Sequence, residues 1–319
     1  MNGLPRTRRT VGRVLVPALV LLTCGPVLLH PPSLLAGPFP FTIIDAPDAG
    51  TTTTGGATGT GAAGINDNGQ IVGGFVDRRD KGHAFLRAKA GTFAVIDIPG
   101  ATEYGPEATG INNAGEVVGW FTDGRGDHGF MRAAGGRVTV VNLPGATAVR
   151  LNGINDRGQI AGEFTAGGRD HGFVREPAGR LTVIDVPGAT STYAMGINNA
   201  GQIAGWFFTG PIGRNENHGF LRSAAGRLTI VNVTLPGAYG TIVRGINAAG
   251  DVVGDFFDGR GHRRGFLRTA QGAFATIEVP GQPDVDVTVS GINRARQIVG
   301  WFLVASGYYD ESHGFTTAR

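Results

Sequence analysis

A twelve-residue phrase is written six times along this chain. It reads GINDNGQIVGGF from residue 64, GINNAGEVVGWF from 110, GINDRGQIAGEF from 153, GINNAGQIAGWF from 196, GINAAGDVVGDF from 245 and GINRARQIVGWF from 291. Its opening glycines are 46, 43, 43, 49 and 46 residues apart. A period of that size means one supersecondary unit per repeat. Such a unit cannot cover its own apolar faces and is stable only against its neighbours.

Each unit offers four strands. A short stretch leads into Gly-Ile-Asn (EATGIN, VRLNGIN, TYAMGIN), and QIVGGF and its copies follow. The third is HAFLR at 83–87, echoed as HGFMR, HGFVR, HGFLR, RGFLR and HGFTT; the fourth is TFAVIDIP at 92–99, echoed as VTVVNLP, LTVIDVP, LTIVNVTLP and FATIEVP. Val, Ile, Thr and Phe dominate between the 55 glycines, and there is no G-X-Y period, so the chain is all-β and not collagenous. Asn-Asp-Asn-Gly at 66–69 supplies a tight turn, because Asn bonds its own backbone and Gly accepts positive φ. The sixth copy departs, with Arg296 in the glycine place.

The ends carry the topology. The last unit stops at HGFTTAR, one strand short, and FTIIDAP at 41–47 aligns residue for residue with FAVIDIP at 93–99. The expected fold is therefore a six-bladed β-propeller of four-stranded blades, closed by the N-terminal strand pairing into the last blade. It spans 37–319 as one domain, and the expectation is a monomer. The Gly-rich first strand is expected innermost, where only small side chains fit.

The His-Ala-Phe of 83–85, with Gly-Ile-Asn-x-x-Gly upstream, resembles the bacterial extracellular repeat family called HAF over about residues 41–319. The resemblance implies export and carries little chemistry. Arg264 replaces the motif histidine in copy five.

Residues 1–36 read as an export signal: a basic start (RTRRTVGR), an apolar run from Val14 to Leu22, and Ala36 as a small cleavage residue. Pro17 and Pro26 interrupt the apolar run, which is shorter than the ~20 residues a spanning helix needs. Thr7-Arg8-Arg9-Thr10 faintly resembles a twin-arginine signal. The only cysteine, Cys24, follows Leu21-Leu22-Thr23, which resembles a lipobox with Thr23 in place of a smaller residue, so a lipid anchor is the alternative to plain cleavage. This segment holds four arginines and no acid; without it the net charge falls from +3 to −1, which argues against a nucleic-acid partner.

Loop lengths separate two faces. The Gly-Ile-Asn glycine stands 11 residues before the second-strand phenylalanine in all six copies, whereas the connections between second and third strands, and from proline to the next repeat, vary. Variation confined to one face marks the binding side of a repeat protein. That face carries Arg78, Arg79, Asp80, Arg125, Asp127, Arg169, Asp170, Arg214, Tyr308, Tyr309 and Asp310. Just before the second-strand phenylalanine the copies read Gly74, Trp120, Glu163, Trp206, Asp255 and Trp301. Tryptophan on alternate repeats, with acids between, suits a sugar or another planar ligand. The competing reading is packing, each indole N–H meeting a carboxylate.

His83, His128, His171, His218 and His313 share one repeat position. Equivalent positions in different blades lie too far apart for the ~2.1 Å reach of zinc ligands, so each is expected to hydrogen-bond a neighbouring strand or loop, with no metal and no cofactor. Three short motifs mislead. Gly59 to Gly64 matches a dinucleotide fingerprint with no helix after it, Arg125-Gly126-Asp127 spells an adhesion tripeptide inside a turn, and Asn232-Val233-Thr234 is a formal glycosylation acceptor in a strand. No catalytic motif is present. The expectation is an exported, non-catalytic binding or scaffold propeller with an extracellular glycan or protein ligand. The alternatives are a propeller enzyme (lyase or hydrolase) on an extracellular polymer and an envelope structural protein. Acid, Tyr and His side chains clustered at the channel mouth would favour an enzyme; a scattered polar rim would favour binding.

Overall fold

The computed structural model describes residues 39–50, 58–102, 104–210, 217–306 and 309–317. Every regular element among them is a β-strand. The proposed signal segment and Cys24, together with Arg214 and Tyr308, lie outside the described residues; Tyr309 and Asp310 are placed only as backbone at the start of the last strand.

The repeats fold as four-stranded antiparallel sheets in chain order. In repeat three the strands are Ala148–Ile154, Ile160–Ala166, Arg169–Arg175 and Leu181–Ile184. The sixth repeat supplies Asp286–Ile292, Ile298–Ser306 and Tyr309–Thr317, and its fourth place is taken by Phe41–Ile44 from the other end of the chain, Ile43 lying opposite Phe315. A short parallel pairing of Thr58 and Gly59 with Glu311 and Ser312 also joins the first and last repeats, which the sequence did not announce. The fourth strands are shorter than their apolar pattern. They end at Ile44, Ile96, Val141, Ile184, Val231 and Ile277, before the Asp or Asn that most repeats turn toward the motif histidine.

Packing explains the invariant letters. The motif phenylalanines Phe85, Phe130, Phe173, Phe220, Phe266 and Phe315 are all but fully buried. Each such ring contributes about 1.5–3 kcal/mol of burial. A Cβ on Gly119 would come within 2.0 Å of the Glu107 carbonyl oxygen and 2.7 Å of the Phe130 ring, so the second strand must carry glycine there.

The Gly-Ile-Asn triplet joins neighbouring repeats. The first strand carries a register shift immediately before its glycine in all six copies, for example between Ala108 and Gly110. Such a bulge bends the strand and re-aims the residue it leaves unpaired. A Cβ on Gly110 would lie 3.0 Å from the Asn152 carbonyl and from Gly153 Cα of the next repeat, so first strands approach closely there. The following asparagine acts twice. Asn66 Oδ1 accepts the N–H groups of Asn68 and Gln70, closing its own turn, while its Nδ2 donates to the Asn112 carbonyl of the next repeat at 2.9 Å. Asn112, Asn155, Asn198 and Asn247 each donate onward in the same way, and Asn293 donates to Asn66. Arg296 keeps the left-handed conformation of the glycine it replaces (φ 60°), and its Nε lies 2.8 Å from buried Asp251.

The connections of variable length lie together: Thr102 N–H donates to the Thr122 carbonyl, Thr147 to Thr165 and Thr190 to Phe208. These three inter-repeat connections thus lie against the ends of the second strands they lead to, away from the asparagines. No helix among the described residues is long and apolar enough to cross a membrane.

Candidate functional site

The six bulged residues, Ala63, Thr109, Asn152, Met195, Arg244 and Ser290, line one cavity of about 310 Å³. Its wall is completed by first-strand residues two positions earlier, Glu107, Arg150, Tyr193 and Thr288, and by their cross-strand partners Trp120, Glu163, Trp206 and Trp301. The three tryptophans from alternate repeats therefore face the same space. The expectation that only small side chains fit here holds for the Gly-Ile-Asn glycines and fails beside them. The bulges bring in side chains as large as Asn152, Met195 and Arg244, and four repeats add a second from two positions earlier.

Two of the indoles are already covered on one face. The Arg150 guanidinium lies 4.2 Å from the Trp120 ring, held by Asp127, which is 2.7 Å from Arg150 Nε and accepts from Thr122. Tyr193 stacks on Trp206 at 4.1 Å and 10°, its hydroxyl donating to Asp170 at 2.6 Å; Asp170 accepts from Thr165. Asp127 and Asp170, expected on the ligand-facing rim, instead fix an arginine and a tyrosine of the wall. The indole N–H of Trp206 is buried without a partner among the described residues, so none of their carboxylates meets it as the packing reading expects. Arg169 is turned toward Asp185 (3.7 Å) and the Ala189 carbonyl, and Arg125 stands exposed at its turn tip.

The carboxyls differ in environment. Burial pushes Glu163 up to about 7, although Asn152 hydrogen-bonds to it and Arg150 stands nearby. The enclosing protein raises Glu107 as well, against the pull of Arg150 and Arg244, while its side chain remains accessible from within the cavity. Asp255 is fully buried and paired with Arg244 at 2.5 Å. Burial raises Tyr193 far above its ordinary value, the bond to Asp170 adding to it, so this phenol stays protonated.

The repeated histidines lie apart from this cavity, in separate pairs. Nδ1 of His83, His171 and His313 lies 2.8–3.1 Å from Asp97, Asp185 and Asp45, and His128 and His218 meet Asn142 and Asn232. The Asn142 hydrogen bond raises the His128 pKa, overcoming the effect of burial. Arg264 reaches Asp258 at 2.9 Å, where His83 reaches Asp77. No metal-ligating cluster is formed among the described residues. On the opposite side the asparagines and the residues after them surround a second cavity of about 80 Å³. There burial would raise Asp156, but hydrogen bonds from Asn113 and Asn199 outweigh it and hold its pKa low.

The sequence reading missed Glu107, Arg150, Asn152, Tyr193 and Arg244. The available signal was chemical diversity at two fixed places in an otherwise constant frame, one and three residues before each Gly-Ile-Asn. The outer loops drew attention because length varied there.

No protein-family model matches the chain, and no curated protein sequence does. Solved structures do. AofleA of Arthrobotrys oligospora matches with a TM-score of 0.51 at 12% identity, over 87% of this chain and 90% of that one. A subtype N11 neuraminidase-like protein of A/flat-faced bat/Peru/033/2010 (H18N11) matches at 0.50 and 9%, over 89% and 95%. TolB of Acinetobacter baumannii matches at 0.50 and 14%, over 66% and 52%. The fold is all-β and propeller-like.

Proposed function

We propose that the chain is an exported, non-catalytic six-bladed β-propeller that binds a small extracellular ligand, glycan-like in chemistry, in its central cavity. The six-bladed, closed form is supported by the asparagine chain that runs from Asn66 to Asn293 and back, and by Phe41–Ile44 in the last sheet. Export is supported by the character of residues 1–36 and by the HAF-type repeat.

The observation that carries the binding reading is the convergence of Trp120, Trp206 and Trp301 on one cavity whose polar groups are pre-positioned. Concave, aromatic-lined spaces with a few fixed polar groups are the usual form of a small-ligand site. A glycan and peptide array probed with the chain lacking residues 1–36, beside Trp206→Ala, tests it. Retention of a ligand by the parent and its loss in the variant are expected; no retention, or equal retention by both, overturns the reading.

A second reading, an enzyme on an extracellular polymer, draws support from Glu163, Glu107 and Tyr193 standing together, two thirds of the clustering expected of such a site. A carboxyl near 7 is suited to general acid work. Against it, the Tyr193 hydroxyl is committed to Asp170, and no histidine among the described residues lines the cavity with Glu163 and Tyr193. Cleavage of a polysaccharide in a panel assay, abolished in Glu163→Gln, would establish it.

A further inference from the structure

Repeat one breaks the pattern of the cavity wall. Where the other repeats present Glu107 and Trp120, Arg150 and Glu163, Tyr193 and Trp206, Ile242 and Asp255, or Thr288 and Trp301, it presents Gly61 opposite Gly74. The missing side chains leave a slot of about 230 Å³. Trp301 of repeat six and Trp120 of repeat two line it, and both also line the central cavity, as does Glu107. Gly82, His83 and Tyr104 place its other end at the variable-loop face.

Two groups in the slot have no stacking or hydrogen-bonding partner among the described residues. Trp120 carries Arg150 and Trp206 carries Tyr193, but no ring or cation among the described residues stacks on Trp301. Gly61 lies against it, where a Cβ would stand 3.7 Å from its ring. Glu107 lies beside Gly74, its Cγ 3.4 Å from where a Cβ would be, and no hydrogen bond or ion pair from any described residue reaches its carboxyl. The arginines nearby are engaged, Arg150 with Asp127 and Arg244 with Asp255. A carboxylate left without a partner in an enclosed space attracts a cation, and an uncovered indole takes the C–H face of a saturated ring or the charge itself.

We propose that this slot binds a pyranose carrying a primary ammonium group, the ring lying on Trp301 and the ammonium on Glu107. The proposal rests on the binding reading above and narrows it to the amino-sugar class. Thr288 and Ser290, which line the adjoining cavity, supply hydroxyls for the ring's own.

The test is a titration, by calorimetry and by tryptophan fluorescence, of the chain lacking residues 1–36 with D-glucosamine and with N-acetyl-D-glucosamine, which keeps the ring and loses the charge. Glucosamine is expected to bind at least about tenfold tighter, and Glu107→Gln to erase that preference, as for a desolvated charge pair that loses one partner. Gly61→Thr copies Thr288 of repeat six, so the fold accommodates it, and it is expected to cover Trp301 and abolish binding with the melting temperature held. Equal or better binding of the acetylated sugar overturns the ammonium assignment. Binding that survives Gly61→Thr overturns the slot. Binding of neither sugar overturns the proposal, while the array decides separately whether the cavity binds anything.

Discussion

Asn293 of the last repeat donates its side-chain amide to the backbone carbonyl of Asn66 in the first, 227 residues away, at 3.2 Å. The same asparagine holds its own turn through Oδ1, accepting from Ala295 and Gln297. One buried side chain therefore serves both a local turn and the link between chain ends. Asn293→Ala removes both functions and leaves buried backbone groups unsatisfied, at a cost of about 1–3 kcal/mol for each. Urea unfolding should show a clear loss of stability; an unchanged midpoint would contradict the role given to this link.

Ile44 is 2% exposed, and Phe41 packs on Phe315 with ring centroids 4.5 Å apart. Ile44→Ala is expected to cost about 2–5 kcal/mol, the usual range for truncating a buried isoleucine. Deleting residues 39–47 should lower the melting temperature further, since it exposes the edge of the last sheet. A deletion variant that melts with the parent would show that the two ends do not depend on each other.

Gly110→Ala places a methyl group against Asn152 and Gly153 of the next repeat, and overpacking of this kind costs about 1–3 kcal/mol. Gly135 is exposed, has nothing within 4 Å of a built Cβ and has no left-handed backbone. Gly135→Ala should be neutral or stabilising by up to about 1 kcal/mol, through the unfolded chain. Thermal melts of the two variants should move in clearly different ways; matching shifts would remove close approach as the reason for the Gly-Ile-Asn glycine.

Glu163 titrates near 7 in the folded chain, above its ordinary 4.5. Its folded form prefers the proton, so its contribution to stability is complete below about 4.5 and is lost as pH rises through 7. Glu163→Gln keeps an acceptor for Asn152 and abolishes the titration. The melting temperature of the parent, relative to this variant, should fall between pH 4.5 and 7 and then level off. Parallel curves would mean that Glu163 is not held in its neutral form.

Asp127 positions Arg150 over Trp120. Asp127→Asn should weaken ligand binding more than it affects folding, because Arg150 is partly exposed and its ion pair with Asp127 contributes at most about 1 kcal/mol to stability. Comparing titrations with thermal melts checks this; a large loss of stability with affinity unchanged would make the pair structural.

Much of the architecture was legible because period-2 strands and Asn-Gly turns act over a few residues. FTIIDAP could be matched to FAVIDIP in advance because the same positions meet the same partners: Asp45 reaches His313 as Asp97 reaches His83. The candidate site was half legible. The three tryptophans stood out by composition. Tyr193 and Arg150 did not, since nothing in TYAMGIN or VRLNGIN says that these side chains, paired across the strands with Trp206 and Glu163, face the same space as the tryptophans.

By itself, then, the sequence determined the repeat, its four strands and the turns between them, because those depend on backbone preferences and on side chains close in the chain. Only the tertiary structure decided which side chains share a space. Trp120, Trp206 and Trp301 are separated by two repeats each, and their meeting in one cavity, beside a slot left open by Gly61 and Gly74, depends on the angle at which neighbouring repeats stand to one another. That angle is set by glycine-to-glycine approach and asparagine links between repeats, contacts more than forty residues apart whose geometry no single copy of the phrase contains.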